Sequence, residues 1–117
     1  MAPPSQLSIA TSSLNRLVKE EASYHKECEA QKARLAKMEK GGSDDENAEY
    51  LLKQERKALE ETQALFPQMK QKIQEALSKL ETQLEDDKGP GDQSSPEEIT
   101  KAKEAIAGAL KALRETS

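Results

Sequence analysis

From Leu7 to Met38 the apolar positions recur at alternating steps of three and four: Leu7, Ala10, Leu14, Leu17, Tyr24, Cys28, Leu35 and Met38. Glu21 and Gln31 hold the two places where this frame turns polar. The pattern is an unbroken heptad frame and predicts a long α-helix with one narrow stripe along it. Between the stripe positions stand mostly charged or small residues, among them Arg16, Lys19, Glu20, Lys26, Glu27, Lys32, Arg34 and Lys37. Such a helix cannot bury its stripe alone, so the rest of the chain is expected to supply partners. Ser5, Ser8, Thr11, Ser12 and Ser13 are all residue types suited to its N-cap. Gly41 and Gly42, behind Lys37 and Lys40, suit its C-terminal closure.

A second amphipathic stretch starts behind the polar turn Ser43 to Asn47. From Leu59 its frame runs through Thr62, Phe66, Met69, Ile73, Ala76 and Leu80. Pro67 interrupts it, removing one backbone donor and crowding the preceding turn. The hydrophobic phase carries through and neither side offers a glycine or a turn cluster, so a kink is expected and not a break into two helices. Lys88 to Ser95 reads as a linker. Behind it Ser95, Pro96 and Glu98 form a capping box with proline at the first helical position. The third stripe is Ile99, Ala102, Ile106, Ala109 and Leu113, and Ala102, Ala105 and Ala109 would permit close helix approach. Gly108 inside this helix suggests local closeness or fraying.

These elements predict an all-α fold: an elongated antiparallel three-helix bundle with coiled-coil-like packing, the second helix kinked at Pro67. One domain is expected over residues 1–117, with helix 1 about 6–40, helix 2 about 45–87, a linker at 88–95 and helix 3 about 96–115. No stretch carries a strand pattern. Val18, Leu51, Leu65 and Leu110 flank the stripes and are expected in a core wider than two positions per heptad. Any that prove exposed become candidates for a partner surface.

Composition supports a slender bundle and opposes an enclosed pocket. Hydrophobic and charged residues each make up 34%, with no Trp, one Phe and two Tyr, too few to wall a deep cavity. The net charge of −4 opposes a nucleic-acid partner. Residues 5–40 carry seven basic against five acidic side chains and residues 43–88 seven against twelve, which makes the first two helices weakly attractive to each other. A single cysteine, no signal-peptide core and no membrane-length apolar stretch point to a reducing, intracellular setting with no membrane.

Catalytic chemistry finds little support. His25 is expected as a solvated surface residue and Cys28 as a buried inert thiol, and the two cannot make a zinc site within the chain. The acidic run Asp44, Asp45 and Glu46 lacks the spacing of a calcium loop, and the glycines follow no phosphate-binding pattern. No enzyme, cofactor or metal site is expected. Glu21 and Gln31 read as register-setting or rim positions, the other reading being a polar gap that faces outward.

Some of these residues also carry a resemblance. Arg16-Leu17-Val18-Lys19-Glu20, followed by Tyr24, Lys26-Glu27, Gln31, Leu35 and Lys37-Met38, resembles the first helix of the tubulin-specific chaperone A family, also called tubulin-folding cofactor A. Asn47, Tyr50, Leu52, Lys53, Gln54 and Leu59-Glu60-Glu61-Thr62, leading to Pro67, resemble its kinked second helix. The likeness covers roughly residues 8–85, and beyond Leu84 only the pattern of the last helix fits. It implies a three-helix bundle that captures β-tubulin folding intermediates on the way to the α/β heterodimer. The action implied is stoichiometric and independent of nucleotide, with exchange to other tubulin-folding cofactors, in the cytoplasm and at the cytoskeleton. The residues it points to for partner binding are Arg16, Lys19, Glu20, Lys26, Glu27, Tyr50, Glu60, Glu61 and Phe66. The alternative is a structural coiled-coil or helical-bundle interaction module without chaperone activity. A narrow seam serves a monomer or a homodimer equally.

Overall fold

The computed structural model describes residues 5–41, 46–86 and 94–116. The proline-containing lead-in, the acidic turn at 42–45 and most of the Gly-Pro-Gly linker (87–93) lie outside the described residues. Three helices hold almost all of the rest: α1 (Gln6–Gly41), α2 (Glu46–Asp86) and α3 (Pro96–Thr116). The described residues include no strand.

Of the five candidate caps for α1, Ser5 is the one used. Its hydroxyl accepts from the Ser8 N–H at 3.0 Å and its carbonyl from the Ile9 N–H at 3.0 Å. Thr11, inside the helix, donates its hydroxyl to the Leu7 carbonyl at 2.8 Å and so is buried without an unmet polar group. At α3 the capping box closes in both directions. The Glu98 N–H donates to Ser95 Oγ at 3.2 Å, and the Ser95 N–H donates to Glu98 Oε1 at 3.3 Å. Helix α2 runs unbroken through Pro67, so the chain does not divide there into two helices.

The chain falls into two compact units, one comprising the residues up to Glu20 and from Met69 onward, the other Glu21–Gln68. The first unit holds the hydrophobic core. Leu7, Ala10 and Leu14 of α1 meet Ile73, Leu77, Leu80 and Leu84 of α2 and Ala102, Ala105 and Ala109 of α3. Leu14, Ile73 and Leu80 are 0% exposed, and full burial of such a side chain stabilises by about 1.5–3 kcal/mol. The alanines on α3 present no bulk to the other two helices, which lets its axis come near. The N-termini of α1 and α3 meet, because Ser5 Oγ donates to Glu98 Oε2. The two helices therefore begin at the same end of this unit and run parallel. Val18 packs against the core as expected, whereas Leu110 is exposed.

Gly108 is not explained by closeness. A Cβ built there meets nothing within 4 Å, and the position faces solvent. The small residues that matter for approach are the alanines, one helical face away.

The second unit is an antiparallel hairpin of the distal part of α1 and the proximal part of α2. As the α1 partner advances from His25 to Arg34, the α2 partner retreats from Phe66 to Glu55. Its frame positions are inward: Glu21, Cys28, Gln31 and Thr62 are buried, and Tyr24, Leu35, Met38, Leu59 and Phe66 half-buried. Two cross-helix ion pairs line its flank, Arg34 with Glu55 at 3.1 Å and Arg56 with Glu39 at 3.6 Å. Exposed pairs of this kind contribute about 0–1 kcal/mol each, so they set register more than stability.

Candidate partner-binding surface

In the first unit Arg16, Lys19 and Glu20 stand on α1 and all three are exposed. Spacings of three and four place them on one helical face, roughly opposite the stripe of Leu14 and Leu17. That face presents two cations and one anion.

In the second unit Lys26 and Glu27 of α1 are exposed, and so are Tyr50, Glu60 and Glu61 of α2. Tyr50 is 60% exposed and its neighbour Leu51 54%. Packing within the chain explains neither side chain at that exposure. Leu51 is thereby one of the flanking residues that leave the core for the surface. Leu65 stays half-buried.

Phe66 differs from the other eight. It is half-buried, and its ring stacks on the His25 imidazole, centroids 4.3 Å apart and planes 12° from parallel. His25 is therefore less solvated than its place off the stripe suggested. It is half-buried, and its Nε2 lies 4.0 Å from Oε1 of the buried Glu21 one turn earlier. The heptad frame places His25 beside the stripe, and a stripe wider than two positions brings such a neighbour into contact. What the frame could not supply was the cross-helix register that puts Phe66 over it.

Glu21 and Gln31 are 2% and 5% exposed, which removes the reading of an outward polar gap. Cys28 is buried and free, as expected. Ile9, 50% exposed on α1 of the first unit, escaped the sequence reading. It lies one position outside the frame, and a single apolar residue there carries no periodic signal.

The described residues hold no group of three His, Cys, Asp or Glu side chains placed to bind a metal ion. A polar groove of the first unit lies between α1 and α3. It encloses about 320 Å³ and is bordered by Ser8, Ser12 and Asn15 on one side and Lys101 and Glu104 on the other. These side chains are exposed or half-exposed and include neither a histidine nor a cysteine. No described helix is long and apolar enough to cross a membrane.

Comparison with known proteins matches residues 2–106 to the family described as tubulin binding cofactor A, which takes the likeness past the linker into α3. The tubulin-specific chaperone A of Saccharomyces cerevisiae is 34% identical over 110 residues, covering 94% of this chain and 95% of its own. The tubulin-folding cofactor A of Arabidopsis thaliana is 35% identical over 107 residues, covering 92% and 90%. Two solved structures share the fold. The crystal structure of the Arabidopsis thaliana cofactor superposes with a TM-score of 0.75 at 34% identity, over 90% of this chain and 92% of that one. RBL2P, described as a β-tubulin binding post-chaperonin cofactor, gives 0.77 at 33% identity, over 94% and 99%.

Proposed function

Because the chain belongs to the tubulin binding cofactor A family, we propose that it is a tubulin-folding cofactor whose partner is β-tubulin. It captures β-tubulin folding intermediates stoichiometrically and without nucleotide, and releases them toward the α/β heterodimer by exchange with other cofactors. It acts in the cytoplasm and meets the cytoskeleton through its client. The observation that carries this reading is the family match, which covers α1 and α2 and reaches into α3, beside a yeast relative matched over 95% of its own length. The relatives are chaperones and cofactors by description, and the chain is read as non-enzymatic in line with them.

The surface suits such a role. Capture by mass action needs a face that stays folded and wet when empty, because a client bound stoichiometrically must also leave. Arg16, Lys19 and Glu20 offer one such face; on the other unit Lys26, Glu27, Tyr50, Glu60 and Glu61 are each exposed, and Phe66 is stacked on His25. Mixed charge there sets association rate and register more than affinity, and Tyr50 is the residue type that anchors interfaces.

The test is retention of purified β-tubulin by the immobilised chain, wild type against Arg16→Glu/Lys19→Glu and against Tyr50→Ala. Each variant should weaken retention by about tenfold or more while circular dichroism stays unchanged, with Lys103→Glu on α3 as a control that binds normally. Absence of β-tubulin retention by the wild type under conditions where an established cofactor retains it would refute the proposal. In that case a sedimentation measurement showing a self-associating rod would establish the structural-module alternative.

A further inference from the structure

The two units differ in what they bury. In the first, the buried side chains among the described residues are apolar except for Thr11, whose hydroxyl is bonded to its own helix. Among the described residues of the hairpin Glu21–Gln68 the buried side chains are Glu21, Cys28, Gln31 and Thr62, three polar and one a thiol. Thr62 is satisfied by the Ala58 carbonyl at 3.1 Å. Gln31 Oε1 and His25 Nε2 are buried atoms with no hydrogen-bond partner.

Local stability follows apolar burial, and a buried acceptor without a donor penalises the closed state while water satisfies it in the open one. Both effects act on the same segment and in the same direction. The ion pairs Arg34–Glu55 and Arg56–Glu39 offset them little, because Arg34, Arg56 and Glu39 are solvated and only Glu55 is half-buried.

We propose that the hairpin Glu21–Gln68 is a jaw that opens reversibly under native conditions while the core of the other unit stays closed, and that its polar seam sets this behaviour. Opening bares Tyr24, Cys28, Leu35, Met38, Leu59 and Phe66, an apolar strip carried on two helices. The jaw is a property of the free chain, whatever its client.

Cys28 is a built-in reporter, since it is the sole cysteine, lies in the seam and is 4% exposed. The full chain is exposed to a thiol reagent in native buffer and in low urea, and amide hydrogen exchange is followed by segment. Cys28 should react at least about tenfold faster than global unfolding allows, with a weaker urea dependence than the global transition. Central hairpin amides, 24–35 and 55–65, should exchange at least about tenfold faster, after correction for intrinsic rates, than those at 10–17, 73–80 and 102–109. Gln31→Leu should slow Cys28 labelling by about tenfold and leave exchange in the other unit unchanged, with Gln31→Met as the replacement if the leucine variant fails to fold. Labelling that tracks global unfolding in rate and urea dependence, or uniform protection across both units, overturns the proposal. So does a folded Gln31 variant that labels as fast as the wild type.

Discussion

Glu98 is the residue through which two helix starts are tied together, and its removal makes a quantitative test of the fold. One carboxylate oxygen accepts from the Ser95 N–H and from the Ser95 hydroxyl, each at 3.3 Å; the other accepts from the hydroxyl of Ser5, the N-cap of α1. In Glu98→Ala the Ser95 N–H regains water, so its loss costs only a few tenths of a kcal/mol. The Ser5 hydroxyl loses a charge-assisted acceptor, about 1 kcal/mol after discounting for its half-exposed setting. A carboxylate in the first turn of α3 contributes a further ~0.3–1 kcal/mol through the helix dipole. The sum is about 1.5–2.5 kcal/mol, or a fall in Tm of roughly 5–13 °C at this chain length. The assay is urea and thermal unfolding followed by far-ultraviolet circular dichroism. Glu98→Gln should lose about half as much, keeping the acceptor and dropping the charge. A double-mutant cycle with Ser5→Ala should return a coupling of about 0.5–1 kcal/mol. Stability of Glu98→Ala within about 0.3 kcal/mol of the wild type, or strict additivity with Ser5→Ala, would refute the reasoning.

Three further outcomes follow from burial and backbone chemistry. Ile73→Ala, at a site 0% exposed in the core, should cost about 2–5 kcal/mol in urea unfolding, whereas Leu51→Ala at 54% exposure should stay within about 0.5 kcal/mol. Gly108→Ala should stabilise α3 by about 0.5–1 kcal/mol, read as a rise in the urea midpoint, because the added methyl meets nothing and a helix-interior glycine is entropically unfavourable. Pro67→Ala, at an exposed position inside α2, should raise stability by about 1–2 kcal/mol: the regained hydrogen bond and relieved crowding outweigh the freer unfolded chain. A loss of stability at either of the last two would mean that the residue has a packing role its surroundings do not display.

What the sequence determined by itself was the seam. Every position of the α1 frame from Leu7 to Met38, Glu21 and Gln31 included, is buried or half-buried. Periodicity is a local property: side chains three and four apart share a helical face whatever lies opposite, so a run of spacings settles which face turns inward. The capping box at Ser95 and Glu98 was legible for the same reason, its partners being three residues apart. Tertiary structure alone decided what depends on the pairing of distant segments. His25 is drawn partly out of solvent because Phe66, a whole hairpin away, stacks on it. Glu98 reached beyond its own box because α1 happens to begin beside α3. Leu51 and Leu110 went to the surface, though Val18, equally placed on paper, went to the core, since only the number and angle of neighbouring helices set how wide an apolar stripe is covered. The spacing along one strand of chain is written in its residues. The offset between strands emerges only when competing burials are weighed in three dimensions.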